Sequence, residues 1–587
     1  MTNSSAPSRV FLLLALAGLL LGCPADERGA EVEDPGIAFV GVSVLAPNDR
    51  WLDDQTLLVR GAVITALGAR DEVAIPDGVE VISGEGRYVV PGLVDSHVHL
   101  DDPSELDIYP TYGITTVVNL RGVGRHLRWR DEIARGERFG PRLVTAGDYL
   151  DGDPPWMEPM TSVTTPEDAA QVVREQKQAG YDLVKVYSQL STDQLRAITA
   201  AAREVGTVVV GHASNNYDLE TLIAAGQSNV AHGQQLLRWY LPESPSDAEI
   251  DTVARQLAAG GVSVTPNLSW TLGLLRQGED LAALLEEPDA GWLHPAVLQP
   301  WRPGFNRYIR DAETWVPDVR QRFEIEKRLV SALHQAGVTL LAGTDASTSG
   351  VYPGASLHDE LLLLEEAGLT PAQALATATR NPGELLHRWL PQGPRSGEIS
   401  VGMQADLLLV EGDPLADLGR LRRPAGTMLA GRWHPRSDLE ARRQQLVDRF
   451  AILGPVVEEL ESALFAGDVA AARPIFDAWR RDHPQEQLFA QYPLFFASYR
   501  FLYGADGFQT EPKPLETALE LYRMYAETYP EYHSSHYLLG EVYRALGRDQ
   551  AAASAYREAL RLHPLHPRAS AALEEIAAGS PASKDPA

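Results

Sequence analysis

The chain has one cysteine, Cys23, among 587 residues. With no second thiol, no internal disulfide can form. Positive charge is also scarce: 51 Lys and Arg stand against 80 Asp and Glu, a net charge of −29. That balance argues against nucleic acid and anionic membrane surface as partners. A long apolar run is missing too. The run Val10 to Leu21 is too short for a comfortable membrane span. The length, in contrast, exceeds what one core can serve, so two to four domains are expected.

The apolar run fits a signal segment instead. It follows a polar start with a single positive charge, Arg9, and ends in Leu20-Leu21-Gly22-Cys23. This resembles the bacterial lipoprotein signal, which is cut before a cysteine that is then lipidated. The resemblance implies a signal peptide at 1–22, lipidation at Cys23 and a tether over 23–35. It also implies a lipid-anchored place in the bacterial cell envelope, with membrane contact through the anchor only.

Residues 36–90 show short apolar runs between turns, such as Ile37-Ala38-Phe39-Val40 and Leu57-Leu58-Val59. They read as strands without helical period. Similar runs return over 396–436, including Leu407-Leu408-Leu409-Val410. The two flanks are expected to pair into one composite β-sandwich around the middle, 91–395. That middle alternates short apolar strands with amphipathic helices such as Pro166 to Ala179 and Thr192 to Val205. Eight such units predict an α/β architecture, a (β/α)8 TIM-like barrel with its reactive groups at the strand C-termini.

The middle opens on Pro91-Gly92-Leu93-Val94-Asp95-Ser96-His97-Val98-His99-Leu100. On a strand, residues two apart share a face, so His97 and His99 project together. Two imidazoles on one face begin a metal site. Four further groups lie in or at the exits of different strands. Lys185 sits inside Leu183-Val184-Lys185-Val186-Tyr187, where a charge is costly unless removed or paired. His212 closes Val208-Val209-Val210-Gly211, His232 closes Asn229-Val230-Ala231, and Asp345 follows Gly343-Thr344.

These stretches, with Gly354 to Leu361 and Asn381-Pro382, resemble the amidohydrolase superfamily of metal-dependent hydrolases. The likeness is strongest to the lysine-bearing branch of imidazolonepropionase-like proteins and Xaa-Pro dipeptidases. The resemblance implies that His97 and His99 hold a buried metal, that His212 and His232 hold a more exposed one, and that Lys185 becomes carbamylated and bridges two ions. It implies that Asp345 binds metal and shuttles the proton. Zinc is the expected ion, one or two per chain. The implied reaction is hydrolysis of a carbon–nitrogen bond in a small molecule, a dipeptide or N-acyl amino acid. The alternatives are ring opening of a cyclic amide, or a non-catalytic scaffold.

Tyr187, Asn215, Asn267 and Arg121 follow predicted strands and are candidate substrate contacts, as is His358 in Ser-Leu-His-Asp-Glu. Arg121, Arg125 and Arg302 could meet a carboxylate. The long segment Leu268 to Asp318 suggests a lid or an interface. Beyond a charged linker at 437–452, residues 453–578 are helical. His536 to Gly540, Tyr543, Gly547, Ala552, Tyr556, Ala559 and Pro564 resemble a tetratricopeptide repeat. Ala518, Tyr522, Tyr525 and Pro530 keep its phase. A distant copy has Gly467, Ala472, Phe476, Trp479 and Pro484. Such an array is expected to dock a protein partner. The tail 579–587 reads as disordered.

Overall fold

The computed structural model describes residues 36–156, 160–303, 306, 308–466, 468–483, 488 and 515–579. The signal segment, Cys23, the tether, Gly467, Pro484 and the tail from 580 on lie outside the described residues. Among the described residues, no helix is long and apolar enough to cross a membrane.

The two flanks do meet. Arg87–Pro91 pairs antiparallel with Leu407–Glu411, from Pro91 opposite Leu407 to Arg87 opposite Glu411. Five strands from the first flank and three from the second form one hydrogen-bonded sheet of eight strands. The two flanks thus share one continuous hydrogen-bonded path. Ile37–Leu45 is the reason, because it pairs with Trp51–Arg60 on one edge and with both Glu80–Ser83 and Arg87–Pro91 on the other. Phe39, Val42, Leu57, Val89, Leu407 and Met428 bury a core of their own inside it.

The middle is built from parallel strands with helices between. Leu93–Val98, Ile114–Asn119 and Arg142–Thr145 form one parallel sheet. A second holds, in spatial order, Thr161–Val163, Leu150–Gly152, Val184–Val186, Val209–Gly211, Asn229–Ala231 and Ser263–Thr265. The eight-stranded closed barrel expected from the alternation is not present as one continuous ladder. The two sheets meet directly through one isolated parallel bridge, Ala146 with Leu183, and on their other edges through the segment 340–346, where Leu340 bridges Val264 and Ala346 bridges Val98. The apolar run Thr339-Leu340-Leu341-Ala342 forms only a bridge, at Leu340, before the chain turns at Asp345, which has a φ of 67°. Helices form where the sequence supplies caps. Thr192–Val205 begins with a reciprocal box in which Ser191 and Gln194 satisfy each other's backbone N–H.

The long segment after Ser263–Thr265 folds into Leu268–Leu285, two short 3-10 turns and Ala312–Gln335. Its His294 ring meets Phe450, 5.5 Å between centroids. Phe450 lies on the 31-residue helix Arg436–Ala466, which spans the expected linker. The segment is thus an interface within the chain. On that helix, Arg443 Nε donates to Thr111 Oγ1 at 2.8 Å and its guanidinium lies over Tyr112 and Trp292. The C-terminal helices are Val469–Asp482, Leu515–Thr528, His533–Ala545, Asp549–Leu562 and Pro567–Ala577. A Cβ on Gly540 would stand 2.5 Å from the Tyr556 ring, so only glycine lets those two helices approach so closely.

Candidate metal centre

Four parallel strands and the bridged segment after Leu340 end close together, and each delivers a group there. Leu93–Val98 carries His97 and, one residue past its end, His99. Lys185 is central in Val184–Val186. His212 and His232 are the residues immediately after Val209–Gly211 and Asn229–Ala231. Asp345 follows the Leu340 bridge. Backbone needs fix these exits. Gly343 must lack a side chain, because a Cβ would sit 3.0 Å from the His97 Cβ and 2.6 Å from a Thr265 methyl. His232 leaves its strand with a φ of 66°, held by its N–H donating to the Thr265 carbonyl at 2.9 Å.

The donors face one another closely. His97 Nε2 lies 3.0 Å and His99 Nε2 2.8 Å from Asp345 Oδ1. The two Nε2 atoms are 3.3 Å apart. The His97 and His232 rings are 4.7 Å apart, and those of His212 and His232 4.9 Å. His97, His232 and Asp345 each offer a ligand atom within 4.8 Å of the others'. Yet Asp345 Oδ1, His97 Nδ1, His232 Nδ1 and Lys185 Nζ are buried without hydrogen-bond partners. Buried polar atoms are ordinarily paired. Near contact without alignment is what a donor set shows when its lone pairs converge on a common cation. The residues present therefore fit a divalent metal, held by His97, His232 and Asp345.

Electrostatics agree. Burial lowers the pKa of His97, His99 and His212 and takes His232 down to about 4, so the four rings are neutral, with lone pairs available. Burial opposes ionisation of Asp345, but the facing His97, His232 and His99 more than offset it and hold the carboxyl well below its usual range. Burial also brings Lys185 down to about 7, against the opposing pull of Asp345. A neutral amine is then available near physiological pH.

Supporting residues were not apparent from the sequence. Asp95 accepts from the His97 and Thr344 N–H groups at 3.2 and 3.1 Å and from Thr344 Oγ1 at 2.7 Å. It therefore ties the first strand to the Asp345 turn. The sequence signal was an acid inside an apolar strand. Tyr149 OH lies 3.3 Å from His99 Nδ1, and Ser188 Oγ 3.1 Å from His212 Nδ1. Among the predicted contacts, Tyr187 stacks on His212 with centroids 3.8 Å apart, and Asn267 accepts from the His232 N–H at 3.2 Å. Arg121 is buried in an ion pair with Asp101, just beyond His99. His358 is not brought to the cluster: its Nε2 bonds the Tyr112 carbonyl at 2.9 Å. Arg302 is not brought to it either, pairing with Glu461 at 3.2 Å, and Asn215 lines a separate cavity with Tyr217, Asp218 and Trp239. Arg125 lies under the helical part, its guanidinium 4.9 Å from the Tyr529 ring.

Comparisons with known proteins bear on this geometry. A profile of the amidohydrolase family matches residues 88–434. An uncharacterized protein of Mycobacterium tuberculosis (strain ATCC 25618 / H37Rv) is 26% identical over 403 residues, covering 63% of this chain and 94% of its own. Among solved structures, a putative prolidase from Bifidobacterium longum superposes with a TM-score of 0.54 at 24% identity. That match covers 70% of this chain and 99% of the other. A Xaa-Pro dipeptidase with bound methionine gives a TM-score of 0.52 at 19% identity, covering 68% of this chain and 100% of its own.

Proposed function

The chain belongs to the amidohydrolase family and is a hydrolase of carbon–nitrogen bonds, and from that premise we propose that it cleaves an amide of a small substrate, a dipeptide or N-acyl amino acid. The observation that carries this reading is the convergence of neutral histidines and an ionised aspartate at the strand ends. Names of structural relatives, a prolidase and a dipeptidase, support the substrate class. The eight-unit barrel is supported by the Ala146–Leu183 bridge between the parallel sheets and by the bridges of Leu340 and Ala346 to their other edges.

In this reading His97, His99, His212, His232 and Asp345 hold one or two divalent ions, zinc by donor type. When bound, such an ion supplies Lewis acidity, making water nucleophilic near neutral pH and the scissile carbonyl electrophilic. Asp345 orients the attacking water, takes its proton on the carboxylate and returns it to the leaving nitrogen. Asp95 keeps Asp345 and His97 in register through Thr344. Lys185, as a neutral amine, adds to carbon dioxide with loss of one proton. Its nitrogen gains a carboxylate, which relieves the buried nitrogen's lack of a partner. Tyr187, Tyr149 and the Arg121–Asp101 pair line the approach.

The anchor at Cys23, with a place in the cell envelope, remains part of the proposal on the strength of Leu20-Leu21-Gly22-Cys23. Docking of a protein partner by the C-terminal helices rests likewise on the repeat-like spacing. The test is a panel of Xaa-Pro dipeptides, N-acyl amino acids and cyclic ureides offered to the zinc-loaded enzyme. Release of free amino acid from the first two classes is expected. Turnover confined to the ureides would transfer the assignment to ring opening.

A further inference from the structure

Three histidines of the C-terminal helices gather where those helices meet the loop that carries Tyr149. His533 starts the helix His533–Ala545, while His563 and His566 lie between Asp549–Leu562 and Pro567–Ala577. The rings of His533 and His563 are 5.0 Å apart, those of His533 and His566 5.3 Å, and those of His563 and His566 5.8 Å. A tetrahedral zinc with Zn–N distances of about 2.0 Å sets two imidazole centroids about 5 Å apart. The catalytic histidines show the same spacing, 4.7 to 5.1 Å.

A carboxylate completes the group. Asp148 Oδ2 lies 3.5 Å from His533 Nε2 and accepts from Thr161 Oγ1 at 3.2 Å. His533, His563 and His566 are 8%, 7% and 7% exposed, and the Nε2 atoms of His533 and His563 are buried without a hydrogen-bond partner. His566 Nδ1 is engaged by the Ala569 N–H at 3.4 Å, which leaves Nε2 as its ligand atom. The nearby Arg568 faces Asp153 at 3.6 Å.

From this arrangement we propose a second metal site, a structural zinc-type centre of His533, His563, His566 and Asp148. Among the described residues, only His97, His232 and Asp345 already bring three ligand atoms within 4.8 Å. Filling the second site therefore draws at least one donor inward. The site clasps the C-terminal helices to the loop after Arg142–Thr145. Asp148 immediately precedes Tyr149, whose hydroxyl touches His99, so the clasp fixes one wall of the catalytic cluster. This site does not rest on the hydrolytic reading.

The purified full chain, stripped by chelator and dialysed against zinc, is expected to bind one equivalent more than the His563→Gln variant, with turnover chemistry playing no part in the readout. Circular dichroism verifies that the variant is folded. In wild-type crystals grown with stoichiometric zinc, anomalous diffraction is expected to show a peak between His533, His563 and His566. That arm decides the matter if the variant does not fold. Equal zinc content in wild type and folded variant, or an anomalous peak at the strand ends with none here, would overturn the proposal.

Discussion

Replacing Asp345 by Asn keeps the size of the side chain and removes its charge and its basicity. The carboxylate stands 3.0 and 2.8 Å from two imidazole nitrogens, so both losses fall on the reacting centre. Unit charges about 4 Å apart interact by about 4 kcal/mol at an effective dielectric of 20. Metal affinity should therefore fall by up to about 10³-fold. Removing a proton-transfer group costs a further factor of about 10² to 10⁴ in rate, or about 3 to 5 kcal/mol. The two effects separate in one assay. Turnover of a dipeptide is measured against zinc concentration for wild type and Asp345→Asn, with circular dichroism confirming the fold. Saturating zinc should restore occupancy but leave kcat at least about 10²-fold low. A variant that regains kcat within tenfold of wild type would refute the proton-shuttling role.

Three other expectations follow from the same geometry. Activity of zinc-loaded wild type should rise with added bicarbonate if Lys185 is carbamylated, and Lys185→Met should be low and indifferent to bicarbonate; an indifferent wild type would remove the carbamate. Glu326 is buried against Glu360, and burial together with that neighbour pushes its carboxyl up to about 7. A carboxyl raised in the folded state stabilises the fold fully below about 4.5 and loses that contribution as pH rises through 7. Glu326→Gln should therefore melt higher than wild type at pH 8, by up to about 3 kcal/mol, and no higher at pH 4; equal melting at pH 8 would show the acid to be solvated. Tyr529→Ala removes the ring 4.9 Å from the Arg125 guanidinium and should destabilise the fold by at least about 0.5–2 kcal/mol, read by thermal melting. An unchanged melt would show that this contact carries no weight.

Local order in the sequence translated well. Pro166–Ala179 and Thr192–Val205 begin and end where caps and apolar period place them. His97 with His99 was legible because a two-residue spacing on a strand has one geometric meaning, and Lys185 because a charge in an apolar strand demands a partner. What depends on juxtaposition was not legible. Asp95 acts through Thr344, which the chain reaches only after the remaining strands have been laid down. The bridges that stand in place of a full ladder around 340–346 accompany a turn at Asp345 that a strand pattern does not encode. Arg121 had the chemistry of a substrate clamp, but its partner Asp101 was hidden in the loop after His99. His533, His563 and His566 come together only because two helix ends fold onto the same loop.

The most direct test is turnover as a function of metal occupancy. Chelator-stripped wild type should be inactive on the dipeptide or N-acyl substrate that the panel identifies, and activity should return in proportion to added zinc. His97→Asn should stay inactive over the same titration while remaining folded. Full activity in stripped protein, or equal recovery by His97→Asn, would contradict a hydrolase built on the strand-end cluster.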